Sequence, residues 1–276
     1  MGILDLPNEL LLEIGEDLLI IRDLFHFLST NRRLSSLLTP HFRKLQDAGS
    51  CPILLWAVIH GDASLAERLI SKGAKVDELP SDSDGKTALH LAAEFDYPDI
   101  IRILVKHGAQ IDARERDRQT PLHTAVSCRS PLAIRVLLEL GADTEIIDRR
   151  GRSPARLAAR LGLIDSLRPF VDAGFDFTHI NLTGRTILHD AILRGREIDS
   201  YRLDSRGVGM VNFILEHGGE KIINAQDSTG ATPLREAVFN LRRSTNKKLY
   251  RLLLSYGAVE LKDNRGNRQT YWGMYL

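Results

Sequence analysis

The tetrapeptide Thr87-Ala88-Leu89-His90 recurs as Thr120-Pro121-Leu122-His123, as Ser153-Pro154-Ala155-Arg156 and as Thr186-Ile187-Leu188-His189, each copy 33 residues after the last. A fifth copy, Thr232-Pro233-Leu234-Arg235, follows after 46 residues, and Pro52-Ile53-Leu54-Leu55 stands 35 residues before the first. A second marker keeps the same register. Glycine follows an apolar stretch of helical spacing at Gly73, Gly108, Gly141, Gly174, Gly218 and Gly257, and in the first four units it lies 21 residues after the unit begins. A fixed period of this length restricts the fold sharply. Each unit is too small to bury its own apolar face, so the units must stack on one another as a linear array.

The residue types within a unit specify its local structure. Thr at the head caps a helix, and Pro at the next position is preset for the first turn. Ala92-Ala93 and Ala158-Ala159 keep the first helix thin, so neighbouring units can approach closely. The second helix carries bulkier side chains, such as Ile100, Ile101, Ile103 and Leu104. Glycine after it takes the left-handed conformation that ends a helix. A polar segment then reverses the chain toward the next unit.

This pattern resembles the ankyrin repeat, whose signature is T-P-L-H-x-A-A, a short loop, a second helix and G-A. The resemblance implies an all-α repeat solenoid of about six units over residues 51–276. The units begin near residues 52, 87, 120, 153, 186 and 232, with a truncated cap after 258. It assigns framework roles to Thr87, His90, Gly108, Thr120, His123, Gly141 and His189. The histidines are implied to bond backbone and tie adjacent hairpins together. His189-Asp190 does not read as a catalytic dyad, because neighbours on a helix point in different directions.

Departures from the pattern mark particular places. Asp96 and Arg129 stand in the inter-helix loop where Gly61, Gly162 and Gly195 stand in other units. Pro169 falls inside a second helix, where it removes a hydrogen bond and is expected to kink it. The fifth unit holds 11 extra residues between its helices, and its polar, Gly-containing segment 196–209 is expected to form an exposed loop. The sixth holds 4 extra. Asp263-Asn264-Arg265-Gly266 reads as a last hairpin, and Thr270-Tyr271-Trp272 as a truncated seventh start.

Residues 1–48 lack the repeat. Leu6, Leu10, Ile14 and Leu18 recur at helical spacing. Further helical patterns run from Asp23 through Leu28 and from Arg33 to Leu38, with Pro40 as a stop. Three helices this short make a small core that needs a partner or the repeats to dock on. Leu6-Pro7, Glu9-Leu10, Ile14, Leu18, Asp23-Leu24 and Asn31-Arg32-Arg33-Leu34 resemble an F-box, as in fungal F-box proteins that also carry ankyrin repeats. Two features differ: Leu19-Ile20-Ile21-Arg22 replaces the usual acid-Pro turn, and Leu34 replaces the usual Trp. The resemblance implies docking on the Skp-type adaptor of a cullin–RING ligase through Leu6, Pro7, Leu10, Ile14, Leu24 and Leu34. A plain helical cap on the array would carry the same apolar pattern.

Composition limits the alternatives. Lys+Arg is 37 and Asp+Glu is 36, a net charge of +1, so a protein devoted to nucleic acid is disfavoured. Two cysteines, Cys51 and Cys128, cannot form a disulfide scaffold. They are expected to be reduced and packed, in a cytoplasmic or nuclear protein. The N-terminal apolar run is broken by Glu13, Glu16 and Asp17, so neither a signal peptide nor a membrane span is expected. No metal-ligand spacing, phosphate loop or nucleophile elbow appears, and no cofactor is expected.

The expected function is therefore binding of another protein, without catalysis. With the F-box resemblance it becomes substrate recognition for an SCF-type ubiquitin ligase; a scaffold or regulatory binding protein without a ligase role is the alternative, and behind it an enzyme or biosynthetic-pathway protein that uses the repeat groove. Arg114, Arg116, Arg149 and Arg150 fall in successive hairpins, whose tips line up in a stacked array. They form a candidate ridge for an acidic or phosphorylated segment of the substrate. Phe95 and Tyr97, in an inter-helix loop, are candidate partner anchors, with packing on the adjacent unit as the competing role.

Overall fold

The computed structural model describes residues 52–71, 73–77, 84–193, 205–239, 244–262 and 264. The F-box-like residues Leu6, Pro7, Leu10, Ile14, Leu24 and Leu34 lie outside them, as do Cys51, Arg265 and the segment Thr270-Tyr271-Trp272.

The described chain is a succession of helix pairs. They are α1 Pro52–Ile59 and α2 Ala63–Ser71, α3 Ala88–Glu94 and α4 Pro98–Lys106, and α5 Pro121–Cys128 and α6 Pro131–Glu139. There follow α7 Pro154–Leu161 and α8 Ile164–Asp172, α9 Ile187–Leu193 and α10 Ser205–Glu216, and α11 Pro233–Phe239 and α12 Ser244–Ser255. A 3-10 turn at Gly219–Ile222 follows α10. The odd-numbered helices pack on one another in one layer and the even-numbered helices in a second. No strand forms among the described residues.

Burial follows the sequence pattern. Ala92, Ala93, Ala125, Ala158 and Ala159 are fully buried between thin first helices. Ile100, Ile101, Leu104, Ile134, Leu137, Leu167 and Phe170 fill the space between the layers. These side chains belong to one continuous apolar cluster from Leu54 to Ala258, so no unit owns its core. Pro98, Pro131 and Pro154 open their helices at the first turn, where a missing N–H costs no internal bond.

The inter-helix loop shows what a substituted glycine position demands. Asp96 and Arg129 hold positive φ of 58° and 61° there, as Gly61 and Gly162 do. Asp96 is suited to the site, because its Oδ1 accepts the Ala133 N–H of the next unit at 2.6 Å.

Two expectations change. Residues 205–209 are not an exposed loop but the first turns of α10, with Gly207 buried and Gly209 close against Ile164. Val208, Val211, Ile214 and Leu215 repeat at helical spacing, and burial of that stripe outweighs the glycines. Cys128 is exposed rather than packed, because it ends α5 at the loop side of the stack. α8 runs through Pro169 to Asp172, and the Pro169 carbonyl accepts the Ala173 N–H at 3.0 Å.

Candidate interaction surface

The hairpins and the first helices form a connected surface, and the bonds between units fix its geometry. In three units a histidine makes the link. His90 Nδ1 lies 3.2 Å from the Thr87 N–H and 2.9 Å from its hydroxyl, while Nε2 lies 3.1 Å from the Gln119 carbonyl. Nδ1 accepts from the Thr87 N–H, so Nε2 carries the proton and donates across to the next hairpin. His123 repeats this with Thr120 and the Arg152 carbonyl at 2.9 Å, and His189 with Thr186 and the Ala231 carbonyl at 3.0 Å. Burial pushes the His90 pKa down to about 4, and it also lowers those of His123 and His189. All three are therefore neutral near pH 7, with every ring nitrogen used in framework bonds. They have no spare capacity for catalysis.

In the fourth unit Arg156 occupies the histidine position. Its Nη1 donates to the Arg185 carbonyl at 2.8 Å, the same reach of 29 residues that His90 and His123 make. Its other nitrogen, Nη2, sits 2.6 Å from Asp190 Oδ2, and both side chains are buried. Burial raises the Asp190 pKa, opposed by Arg156, Arg160 and Arg185. Arg185 continues the chain of charges by pairing with Glu236 at 2.5 Å and approaching Asp227 at 3.6 Å. His189 and Asp190 thus serve different partners, as expected for helix neighbours.

Three hairpins turn on a polar side chain that accepts backbone N–H groups. Asp148 accepts from Arg150 and Arg152 at 2.9 Å each, and Arg152 adds two side-chain bonds at 2.9 and 2.7 Å. Burial opposes ionisation of Asp148, but these bonds outweigh it and hold its carboxyl below the ordinary value. Asn181 and Asp227 do the same for their hairpins. Three steps between tips are joined by backbone: the Arg116 N–H donates to the Asp84 carbonyl, Arg149 to Asp117 and Ser228 to Thr183, at 2.8–2.9 Å. Between the hairpins at 148–152 and 181–185 the link is the Arg156 side chain on the Arg185 carbonyl. The tips from Asp84 to Arg152 therefore form a fixed ridge, which the Arg156 bond continues to the hairpin at 181–185.

The four candidate arginines all stand on this ridge and are exposed. They are not equivalent. Arg116 pairs with Asp84 at 2.9 Å and Arg149 with Asp117 at 3.8 Å, each reaching back one hairpin. Arg114 and Arg150 form no ion pair among the described residues. Phe95 and Tyr97 lie elsewhere, at the inter-helix loops, with ring centroids 6.0 Å apart. Tyr97 packs back on the preceding unit, its ring against Gly61, while Phe95 is 42% exposed. The structure does not bring the aromatic pair and the arginines together.

Sequence reasoning missed the Arg156–Asp190 pair and three exposed aliphatic side chains of the ridge, Ile147, Ile180 and Leu182. The signal for the first was present: Arg stands in the tetrapeptide where His is usual. The aliphatic residues occupy the positions that hold Arg114 and Arg116 one or two units earlier.

On the even-numbered layer, a cleft of about 270 Å³ is lined by Phe170, Phe175, Glu145, Asp176 and His179, among others. Its His179 pairs with Glu145 at 3.1 Å, which raises the imidazole pKa. No cluster of three or more His, Cys, Asp or Glu able to hold a metal occurs among the described residues. No helix among them is long and apolar enough to cross a membrane.

Comparison with known proteins agrees with this geometry. The ankyrin-repeat family model matches residues 29–115 and 54–148. The first match begins upstream of residue 52, where the tetrapeptide register places the first unit. The ankyrin repeat domain of Bcl-3, a member of the IkappaB protein family, superposes with a TM-score of 0.67 at 26% identity. That likeness covers 80% of this chain and 92% of that one. An ankyrin repeat domain from Acinetobacter baumannii AYE gives 0.60 at 27% identity, over 75% of this chain and 98% of that one. In sequence, 98 residues are 32% identical to the potassium channel AKT2/3 of Arabidopsis thaliana, covering 33% of this chain and 12% of the channel. The period, the helix pairs and these likenesses agree: residues 29–148 match ankyrin repeats, and the described helix pairs have the ankyrin-repeat fold, whose repeats indicate a protein–protein interaction module.

Proposed function

We propose that this chain is the substrate-recognition subunit of an SCF-type ubiquitin ligase, working in the cytosol or nucleus. In this reading residues 1–48 dock on a Skp-type adaptor through Leu6, Pro7, Leu10, Ile14, Leu24 and Leu34, and the repeats hold a protein substrate. Substrate contacts are assigned to Arg114, Arg116, Arg149 and Arg150 on the ridge, with Phe95 and Tyr97 as a second contact on the loop side. The observation that carries the binding half is the ridge: bonds inside the framework fix its backbone while its arginine side chains face solvent. Little ordering is then needed on binding, which favours affinity. The ligase half is supported by the F-box-like pattern of the first 48 residues.

The test is co-purification of the full chain with a Skp-type adaptor, beside a Leu10→Asp, Ile14→Asp variant. Capture by the intact chain and its loss in the variant are expected. No capture by the intact chain removes the ligase reading and leaves an ankyrin scaffold.

A further inference from the structure

Position by position, the hairpins change chemistry along the stack. The residue before the turn-forming side chain is Arg114, then Ile147, then Ile180. The residue after it is Arg116, then Arg149, then Leu182. Leu182 is 98% exposed, Ile180 63% and Ile147 36%. Single exposed aliphatic residues are ordinary. These three differ in sharing a register: Ile147 and Ile180 hold the same place in successive units, and Ile180 and Leu182 flank one turn. Nothing in the hairpin's own bonding uses them, because Asn181 and backbone groups close that turn. Beside them the ridge is basic, with six arginines against three acids in segments 114–118 and 148–152.

We infer that the ridge from Arg114 to Leu182 receives an extended partner segment with acidic side chains at one end and bulky aliphatic side chains at the other. This rests on the repeats being a protein-holding surface and specifies the class of partner. The acids meet Arg114 and Arg150, whose guanidinium groups are not engaged in ion pairs among the described residues, in charge-assisted bonds. The aliphatic side chains cover Ile180 and Leu182, and Ile147 lies between the two chemistries. Units packed about 8–10 Å apart put three hairpins within about 20 Å. An extended segment of about six residues spans that length at roughly 3.3 Å each. Nucleic acid would use the arginines but would gain nothing from Leu182.

The experiment uses the full chain and the fluorescein-labelled peptide Glu-Asp-Glu-Gly-Leu-Ile-Leu, together with its reversed sequence, followed by anisotropy at low salt. One of the two is expected to bind at least tenfold more tightly than peptides holding only the acids or only the aliphatic residues. Ile180→Ser with Leu182→Ser, and separately Arg114→Glu with Arg150→Glu, are each expected to weaken it at least tenfold. All four positions are exposed, and unchanged thermal melts establish that the variants fold. Absence of binding, equal binding of the acid-only peptide, or indifference to the Ile180/Leu182 variant overturns the inference. So does tighter binding of oligothymidine. Adaptor capture on the same preparations separates the two readings. Its loss with peptide binding intact removes only the ligase role, and the converse removes only this inference.

Discussion

Residues 87–152 and residues 153–262 perform the same mechanical task with different chemistry. In the first region each unit is tied to the next by a neutral, buried histidine, His90 or His123, that satisfies its own helix start and the following hairpin. At the start of the second, before the histidine link returns at His189, Arg156 makes the equivalent bond and brings a charge into the stack. That charge is answered by Asp190, with Arg185, Glu236 and Asp227 beyond it. The first region keeps the regular period, while the second accepts insertions in its fifth and sixth units. The comparison shows that the framework requires a donor at a fixed point in space rather than histidine as such. A charged donor fulfils the requirement only if a counter-charge is buried with it.

The sharpest way to break the comparison is Arg156→Ala. It leaves the Asp190 carboxylate buried without its partner, and a loss of about 3–5 kcal/mol is expected from urea unfolding followed by far-UV circular dichroism. Part of that loss should return at pH 5, where the buried Asp190, its pKa already raised, takes up a proton more readily. Replacing both partners, Arg156→Ala with Asp190→Leu, should cost less than the single change. If the single and double variants are equally destabilised, the buried pair is not what Arg156 serves.

His123→Ala removes a neutral link instead. It leaves the Thr120 N–H and the Arg152 carbonyl without their partner, so a loss of about 1–3 kcal/mol is expected in the same assay. A loss as large as that of Arg156→Ala would erase the distinction between the two regions.

Acid should also separate them. The histidine pKa values are depressed in the folded chain, so the unfolded chain binds more protons between the two values. Their contribution is present above pH 6.5 and is lost as pH falls from there through the His90 value of about 4. Asp190, with a raised pKa, has the opposite sign. Amide exchange compared at pH 7 and pH 5, after correction for the intrinsic rate, should show protection falling more around His90 and His123 than around Arg156. Equal loss around Arg156 would contradict the distinction between the neutral histidine links and the charged one.

The smallest effect is expected at the tips. Asp117→Ala removes the exposed partner of Arg149, whose pairing distance is 3.8 Å. Less than about 1 kcal/mol of stability should be lost, and still less in high salt.

The period, the helix pairs, the left-handed glycines and the Thr–His caps were all legible in the sequence. Each depends on neighbours within one unit or on repetition of the unit itself. The helical turn at residues 205–209 was not legible, because its polar and glycine content masks the stripe of Val208, Val211 and Leu215. The Arg156–Asp190 pair was hidden because its members lie 34 residues apart and only stacking brings them together. The ridge was half legible. Its arginines announce themselves as charges in turns, whereas Ile180 and Leu182 look like core residues until the turn is seen to point them outward.

The sequence by itself thus determined that units exist, how long they are and where each helix begins, because short-range hydrogen bonding and periodic burial are local. The tertiary structure decided which arginines are tied to a neighbouring acid and which aliphatic side chains remain uncovered. Those outcomes depend on distances between units, set by how thin helices and glycine turns pack along the stack rather than by any one unit's residues.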